Sequence, residues 1–587
     1  MKNVKYVLAE NGLTSWHIVV SWDAPEPQKY AADELQHFIY KISGAVIPVV
    51  TDKVEKRGPE ILVGPSNRYK EYEIDLDFEK LGEEGFIIKT VGENIVITGA
   101  KPRGTIYGVY TFLETYLGCR WFSSKVSKIP QRSKIELPEI DDMQVPAFNY
   151  REAYWRDAFN GYFAVRNKMN SNKGEFTDRQ GGKFKFYNFH HTFNDLVPVE
   201  KYFSTHPEYF SEINGKRVAE RTQLCLTNPD VLELCIQGVK EWIKKDPTCN
   251  VYSVAQNDWH NFCTCEKCRE IDEREGSHAG TMITFVNKVA EAIAAEYPDK
   301  YIHTFAYQYT RKAPKYVRPA KNVIVRLCTI ECCFSHPLEE CNVEAIKRAE
   351  QSKTSFLDDL REWSRICDNL FIWDYTTNFA NYLMPFPNLH VLQPNLQLYR
   401  KYGVKGVMMQ GNFSHGGGGI MAELEAYVQS KLLWNPDIDV KKVINEFLVG
   451  YFGQASVPIG KYLEMMHEAV KPYHMSIYDM PDAPYFTDEL LSKAEDLFDE
   501  AERMADNEEV LERIGNLRLQ VTYTVISRMP LENPSREVMI ERFSRELRKY
   551  GITEIFERRD LQMSIEKMKT SRYCRDRSGL YRVDYRM

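Results

Sequence analysis

Between residues 148 and 411 the chain carries eight short apolar runs, separated by stretches with helical periodicity. They are FNYREAYW, FHHTF, TQLCLTN, NVYSVAQND, YIHTFAYQYT, NVIVRLCTIE, LFIWDYTT and VKGVMMQG. Short apolar runs alternating with helices read as parallel strands, because helical crossovers bury both sheet faces. Eight such units predict a (β/α)8 TIM barrel, placed at 143–436.

The rest of the chain reads differently. Residues 1–142 predict a small α+β domain. In YAADELQHFIYKISG, residues Leu35, Phe38, Ile39 and Ile42 share one helical face, and Gly44 ends the helix. EGFIIKTVGENIVITGA reads as two strands turning at Gly92, and RGTIYGVYTFLETYLGCRWF as a second helix. The proline-rich stretch SKIPQRSKIELPEIDDMQVPAF suits a linker. Residues 437–587 predict a helical C-terminal domain, with Thr487 as an N-cap. A chain of 587 residues exceeds what one hydrophobic core supports.

Composition excludes some functions. With 43% hydrophobic and 27% charged residues the chain is globular. A net charge of −7 without a basic stripe argues against a nucleic-acid partner. No apolar run is long enough to span a membrane. The opening MKNVKYVLAENGLTSWHIVV has no apolar signal core. A cytoplasmic location is therefore expected, or a periplasmic or cell-surface one if a leader is removed. Aromatic residues make up 13%, which suits sugar-binding walls as well as cores. No oligomeric state follows from the sequence.

Active sites of such barrels lie at the C-terminal strand ends. Those ends supply Trp155, His190, His191, Asn257, Asp258, Tyr307, Tyr309, Glu331, Trp373, Asp374, Tyr375, Gln410 and Asn412. Carboxylates for proton donation and charge stabilisation, with amides and aromatics around them, suit glycoside hydrolysis. The acid must hold its proton through burial or a neighbouring charge.

The cysteines follow the fourth run. Cys263, Cys265 and Cys268 stand at C-x-C-x-x-C spacing. Zinc needs a fourth ligand, for which His260, Cys332, Cys333 and Cys341 are candidates. With no second paired motif, we expect a reduced or disulfide-linked brace on the lip of the site, and no metal. No cofactor is expected either. The run of glycines from Gly416 to Gly419 lacks the Lys-Ser/Thr of a phosphate loop, and reads as a flexible loop. Glu423 reads as a first-turn acid favoured by the helix dipole.

The first two domains resemble the clan of hexosaminidases and α-glucuronidases. More closely, the barrel resembles a family first labelled a domain of unknown function, 4838, and now grouped as glycoside hydrolase family 163. The resemblance rests on HHTFNDLVP, YFSTHPEYFSEINGKR, QLCLTNPDV, SVAQNDW, FCTCEKC, CTIECCFSHPL, WDYTTNF, YLMPFPN and GVMMQGN with AELEAYVQSKLLWNP. It implies endo-β-N-acetylglucosaminidase action on an oligosaccharide or glycoprotein glycan. By likeness to the α-glucuronidases, QND puts Asp258 in the acid position, TIECCF brings in Glu331, and WDYTT brings in Asp374. By likeness to the hexosaminidases, Asn257 and one of Glu331 or Asp374 would position the substrate acetamido group, with retention. Two alternatives stay open: an α-glucuronidase-like exo-hydrolase, using Arg156 or Arg326 for the sugar carboxylate, and a non-catalytic carbohydrate-binding protein.

Overall fold

The computed structural model describes residues 6–341 and 354–572. The expected C-terminal domain beyond 572 and the first five residues of the expected N-terminal domain lie outside the described residues.

The centre of the molecule is a curled, parallel seven-stranded sheet. Its strands are Tyr150–Tyr154, Phe186–Tyr187, Val251–Ser253, Tyr301–Ala306, Val323–Cys328, Leu370–Tyr375 and Gly406–Gln410. The Tyr150–Tyr154 strand pairs with Gly406–Gln410, and the ladder then runs backwards through the chain to Phe186–Tyr187. The two edge strands approach each other, since the Tyr150 and Phe186 rings lie 5.3 Å apart. No ladder joins them. Two asparagines from the preceding loop fill the seam: Asn170 Oδ1 accepts from Arg151 N at 3.0 Å, and Asn172 Oδ1 accepts from Phe186 N at 2.9 Å. Edge amides that would otherwise be orphaned are thereby satisfied.

The central sheet has seven strands among the described residues where eight were expected. The second begins at Phe186, ahead of the expected FHHTF, and Thr222–Asn228 forms no strand. Its one ladder-type contact is an isolated bridge from Leu224 to Phe210. The reason lies in its neighbours. Thr222 O accepts from Asn257 Nδ2 and Trp259 Nε1, and the main-chain groups of Gln223 and Cys225 bond to Ser211 and Tyr209 rather than to the central sheet.

Alternation decides which side chains fill the sheet's concave side. Tyr150, Phe186, Val251, Ile324, Phe371 and Met408 form one apolar layer. Arg326 lies among them, fully buried, 4.6 Å from the Phe186 ring and 5.4 Å from the Trp373 ring. Among the described residues its guanidinium nitrogens have no hydrogen-bond partner; the aromatic faces and the buried Glu152 together partly offset its burial.

The N-terminal part holds a six-stranded mixed sheet with the helices Glu26–Ser43 and Gly104–Thr115 in a core of their own. It is tied to the central sheet through buried charge. Arg151, pointing outward from its strand, and Arg103 both pair with Glu84. Burial raises the Glu84 carboxyl, but the two guanidiniums outweigh it and hold the carboxyl below its ordinary range.

Helices from Val440 to Thr570 complete the described chain. Thr487 caps the Asp488–Arg503 helix, its side chain accepting from Leu490 N at 3.1 Å. Two loops of this region fold back over the mouth of the sheet. Phe379 N donates to Ile477 O at 2.8 Å, and Tyr382 N donates to Ile555 O at 2.9 Å.

Candidate active site

A cavity of about 320 Å³ opens at the C-terminal strand ends. Of the expected site residues, Asp258, His190, His191, Tyr307, Trp373, Tyr375 and Gln410 line it. Tyr154, Phe189, Phe305 and Phe413 add aromatic wall. Phe189 stacks on Trp373 with centroids 5.8 Å apart, and Trp373 Nε1 donates to Gln410 Oε1 at 2.7 Å.

Asp258 reaches the cavity from the loop after Val251–Ser253, with its side chain half-exposed. The Tyr307 hydroxyl donates to Asp258 Oδ1 at 2.9 Å, and Gln308 Nε2 donates to that hydroxyl at 2.9 Å. Gln308 holds this place with a left-handed backbone, at φ 52°. His191 Nε2 lies 3.5 Å from the same carboxylate oxygen. Burial lowers the His191 pKa, and the Asp258 charge opposes that in part. Burial likewise holds the Tyr307 and Tyr375 phenols well above their ordinary range, so both are hydroxyl donors.

The other expected residues stand elsewhere. Asp374 alternates with Trp373 and Tyr375 on one strand, so when those two face the cavity Asp374 faces the helices. It accepts from Thr329 Oγ1 at 2.7 Å, Tyr375 N at 2.9 Å and Tyr399 Oη at 2.9 Å. Burial raises its carboxyl above the usual range. Glu331 is buried behind the mouth and pairs with Arg311, whose Nε also holds Asp359 Oδ2 at 2.7 Å. Asn257 is spent on structure: its N donates to Gln223 Oε1 at 2.8 Å and its Nδ2 to Thr222 O at 3.0 Å. Trp155 is wholly buried, pressed against Gly411 and Gly419. Tyr309 packs on Phe262, with rings 5.2 Å apart and outside the cavity lining.

Asn412 and Arg156 line a different, larger cavity of about 920 Å³ with Glu423 and Gly416 to Gly418. There Asn412 Nδ2 donates to Gly417 O at 2.6 Å, which gives the glycine run a fixed anchor. Gly418, at φ 121°, admits no Cβ, which would fall 2.8 Å from Tyr382 O. Volume alone favours this cavity. The smaller one instead gathers Asp258, two histidines and the strand-end aromatics Tyr154, Tyr307, Trp373 and Tyr375.

Four polar or charged lining residues beyond the strand ends escaped the sequence reading. Tyr478, Glu557 and Arg558 come from the C-terminal loops, and Lys173 comes from the seam loop. No strand-end pattern points to them. A further omission, outside the cavity, is Cys225, which lies with Cys263, Cys265 and Cys268.

The architecture is of the glycoside-hydrolase type. It is similar to a family GH115 4-O-methyl-α-glucuronidase with specificity for decorated arabinogalactans, at TM-score 0.60 and 10% identity, over 96% of this chain and 80% of that one. It is also similar to a GH138 enzyme targeting pectin rhamnogalacturonan II, at TM-score 0.50 and 10% identity, over 91% of this chain and 74% of that one. Residues 9–112 match the glycosyl hydrolase family 67 N-terminus. Residues 121–464 match the family described as Domain of unknown function (DUF4838), and the chain belongs to that family. No curated protein matches the sequence.

Proposed function

We propose that the chain is a glycoside hydrolase cleaving β-N-acetylglucosaminides, endo-acting on complex N-glycans, with retention. The observation that carries this reading is the Asp258 carboxyl, held by Tyr307 and facing His191 in an aromatic-walled cavity. Asp258 gives its proton to the glycosidic oxygen as the C–O bond breaks. The substrate's own acetamido oxygen closes on the anomeric carbon. Water then opens that ring and returns a proton to Asp258. The Tyr307 hydroxyl stabilises the carboxylate between the two steps.

Substrate assistance uses one acid and a second carboxylate that faces the acetamido group instead of attacking the sugar. Among the described residues, Asp258 and Glu557 are the carboxylates lining the cavity, while Glu331 and Asp374 stand outside it. Glu557 is thus the group we assign to face the acetamido charge.

A second reading, an α-glucuronidase-like exo-hydrolase, is favoured by Lys173 and Arg558 in the lining. They could pair with a sugar carboxylate. Arg326 and Arg156, the cations expected from the sequence, do not line this cavity. The deciding experiment is mass spectrometry of a complex biantennary N-glycoprotein after incubation with wild type and with Asp258→Asn. Glycan cut between the two core N-acetylglucosamines, absent with the variant, supports the first reading. No cut, with release of glucuronic acid from an aryl glucuronide, supports the second. Binding of glycan without turnover leaves a carbohydrate-binding protein.

A further inference from the structure

We propose that Cys225, Cys263, Cys265 and Cys268 form a closed structural zinc site that locks the Asp258 loop in place. The four Sγ atoms lie within 4.8 Å of one another, and all four residues are buried. Zinc bound by four thiolates at about 2.3 Å sets its sulfurs about 3.8 Å apart, the edge of that tetrahedron. Cys225 Sγ and Cys265 Sγ are 3.7 Å apart. None of the four is in a disulfide.

The surroundings are those a thiolate cluster needs. Glu212 N donates to Cys263 Sγ at 3.3 Å, and Arg217 Nη1 donates to it at 3.7 Å. The Thr227 hydroxyl lies 3.3 Å from Cys268 Sγ. Four thiolates around one zinc leave a doubly negative centre, which Arg217 partly offsets. Four ligands close the coordination shell, so the site has no open position for catalysis.

The consequence reaches the cavity. Cys225 belongs to the same short segment as Thr222 and Gln223. Gln223 Nε2 donates to Asn257 O at 2.9 Å, and Trp259 Nε1 donates to Thr222 O at 2.7 Å. Those two residues flank Asp258. Zinc would crosslink the two segments that hold the acid, making the cysteines positioning residues. This positioning role rests on Asp258 being the acid; the metal site itself does not.

A second cluster stands independently. Cys333, His336, Cys341 and His474 also place one ligand atom each within 4.8 Å. His336 Nε2 donates to Lys471 O at 2.7 Å, which leaves Nδ1 as a bare lone pair 3.2 Å from Cys333 Sγ. This two-cysteine, two-histidine set joins the loop after Val323–Cys328 to the segment that carries Tyr478. We infer a second structural zinc there.

The test is metal content of the full chain by plasma mass spectrometry. Two zincs per chain are expected, falling to one in Cys263→Ser and to one in His474→Ala. Cobalt-loaded wild type, which needs no variant to fold, should show tetrahedral ligand-field bands and strong thiolate charge transfer. In Cys263→Ser, glycosidase kcat should fall while His474→Ala keeps the thiolate-rich spectrum. One zinc, lost only in Cys263→Ser, keeps the first site and overturns the second. Folded protein with no zinc, no cobalt uptake and all thiols reacting freely overturns both. Bound iron with sulfide, seen as visible colour, overturns zinc as the metal.

Discussion

His191 Nε2 lies 3.5 Å from Asp258 Oδ1, while its Nδ1 faces the Gln256 carbonyl at 2.5 Å. A carbonyl only accepts, so Nδ1 carries hydrogen, and in the neutral ring Nε2 offers a lone pair to the acid. Burial keeps the His191 pKa below its ordinary 6.5, so the neutral ring persists at neutral pH. When pH falls through that lowered pKa, Nε2 changes from an acceptor to a donor beside Oδ1. We expect kcat/KM to show an inflection in that window. In His191→Gln this inflection should be lost with the rest of the profile unmoved. An identical pH profile in the variant would remove His191 from the acid's control.

Asp258→Asn should lower kcat by about 10²–10⁴-fold, the usual worth of a positioned general acid. Oligosaccharide binding, read by tryptophan fluorescence, should persist, because the aromatic wall is untouched. Turnover within a few-fold of wild type would move the acid elsewhere, first to Glu557.

Tyr307→Phe removes one hydroxyl donor and little volume. A hydrogen bond to a charged group contributes about 1.5–3 kcal/mol, so kcat/KM should fall roughly ten- to a hundredfold. The loss should sit in kcat, since the carboxylate forms only as the proton leaves.

Glu331→Ala should act on stability instead. It breaks a buried pair and leaves Arg311 with Asp359 alone, at a cost of order 3 kcal/mol. The melting temperature should drop, while kcat per folded molecule stays within a few-fold of wild type at low temperature. A kcat lost without any change in melting would return Glu331 to the chemistry.

Acid should loosen the joint between the N-terminal sheet and the central one. Burial raises the Glu114 carboxyl, but Lys431, Lys168 and Arg120 outweigh it and hold it down at about 2, against an ordinary 4.5. A depressed carboxylate contributes stability that is complete above the ordinary value and is lost as pH falls towards the folded one. Urea midpoints should therefore decline between those two values. Glu114→Gln should be less stable at neutral pH and flatten that part of the decline.

Much of this protein is legible along the chain. The apolar runs mark six of the seven observed strands closely, because parallel strands buried on both faces carry a continuous apolar signal. The helix faces, the Thr487 cap and the strand-end residues Asp258, His191, Tyr307 and Trp373 follow from local patterns. What the third run becomes was not legible. TQLCLTN is apolar enough for a strand, yet Thr222 O and the Gln223 side chain are claimed by Asn257 and Trp259, more than thirty residues away, and its main chain turns to Tyr209 and Ser211.

The sequence by itself determined which residues stand at the strand ends, since local periodicity and turn chemistry act over a few residues. Only the tertiary structure decided which of them meet. The same alternation that carries Trp373 and Tyr375 into the cavity turns Asp374 away, and its phase depends on which sheet face the chain buries. Cys225 joins its three partners, and Glu557 and Arg558 reach the cavity, because packing closes distances that no spacing along the chain records.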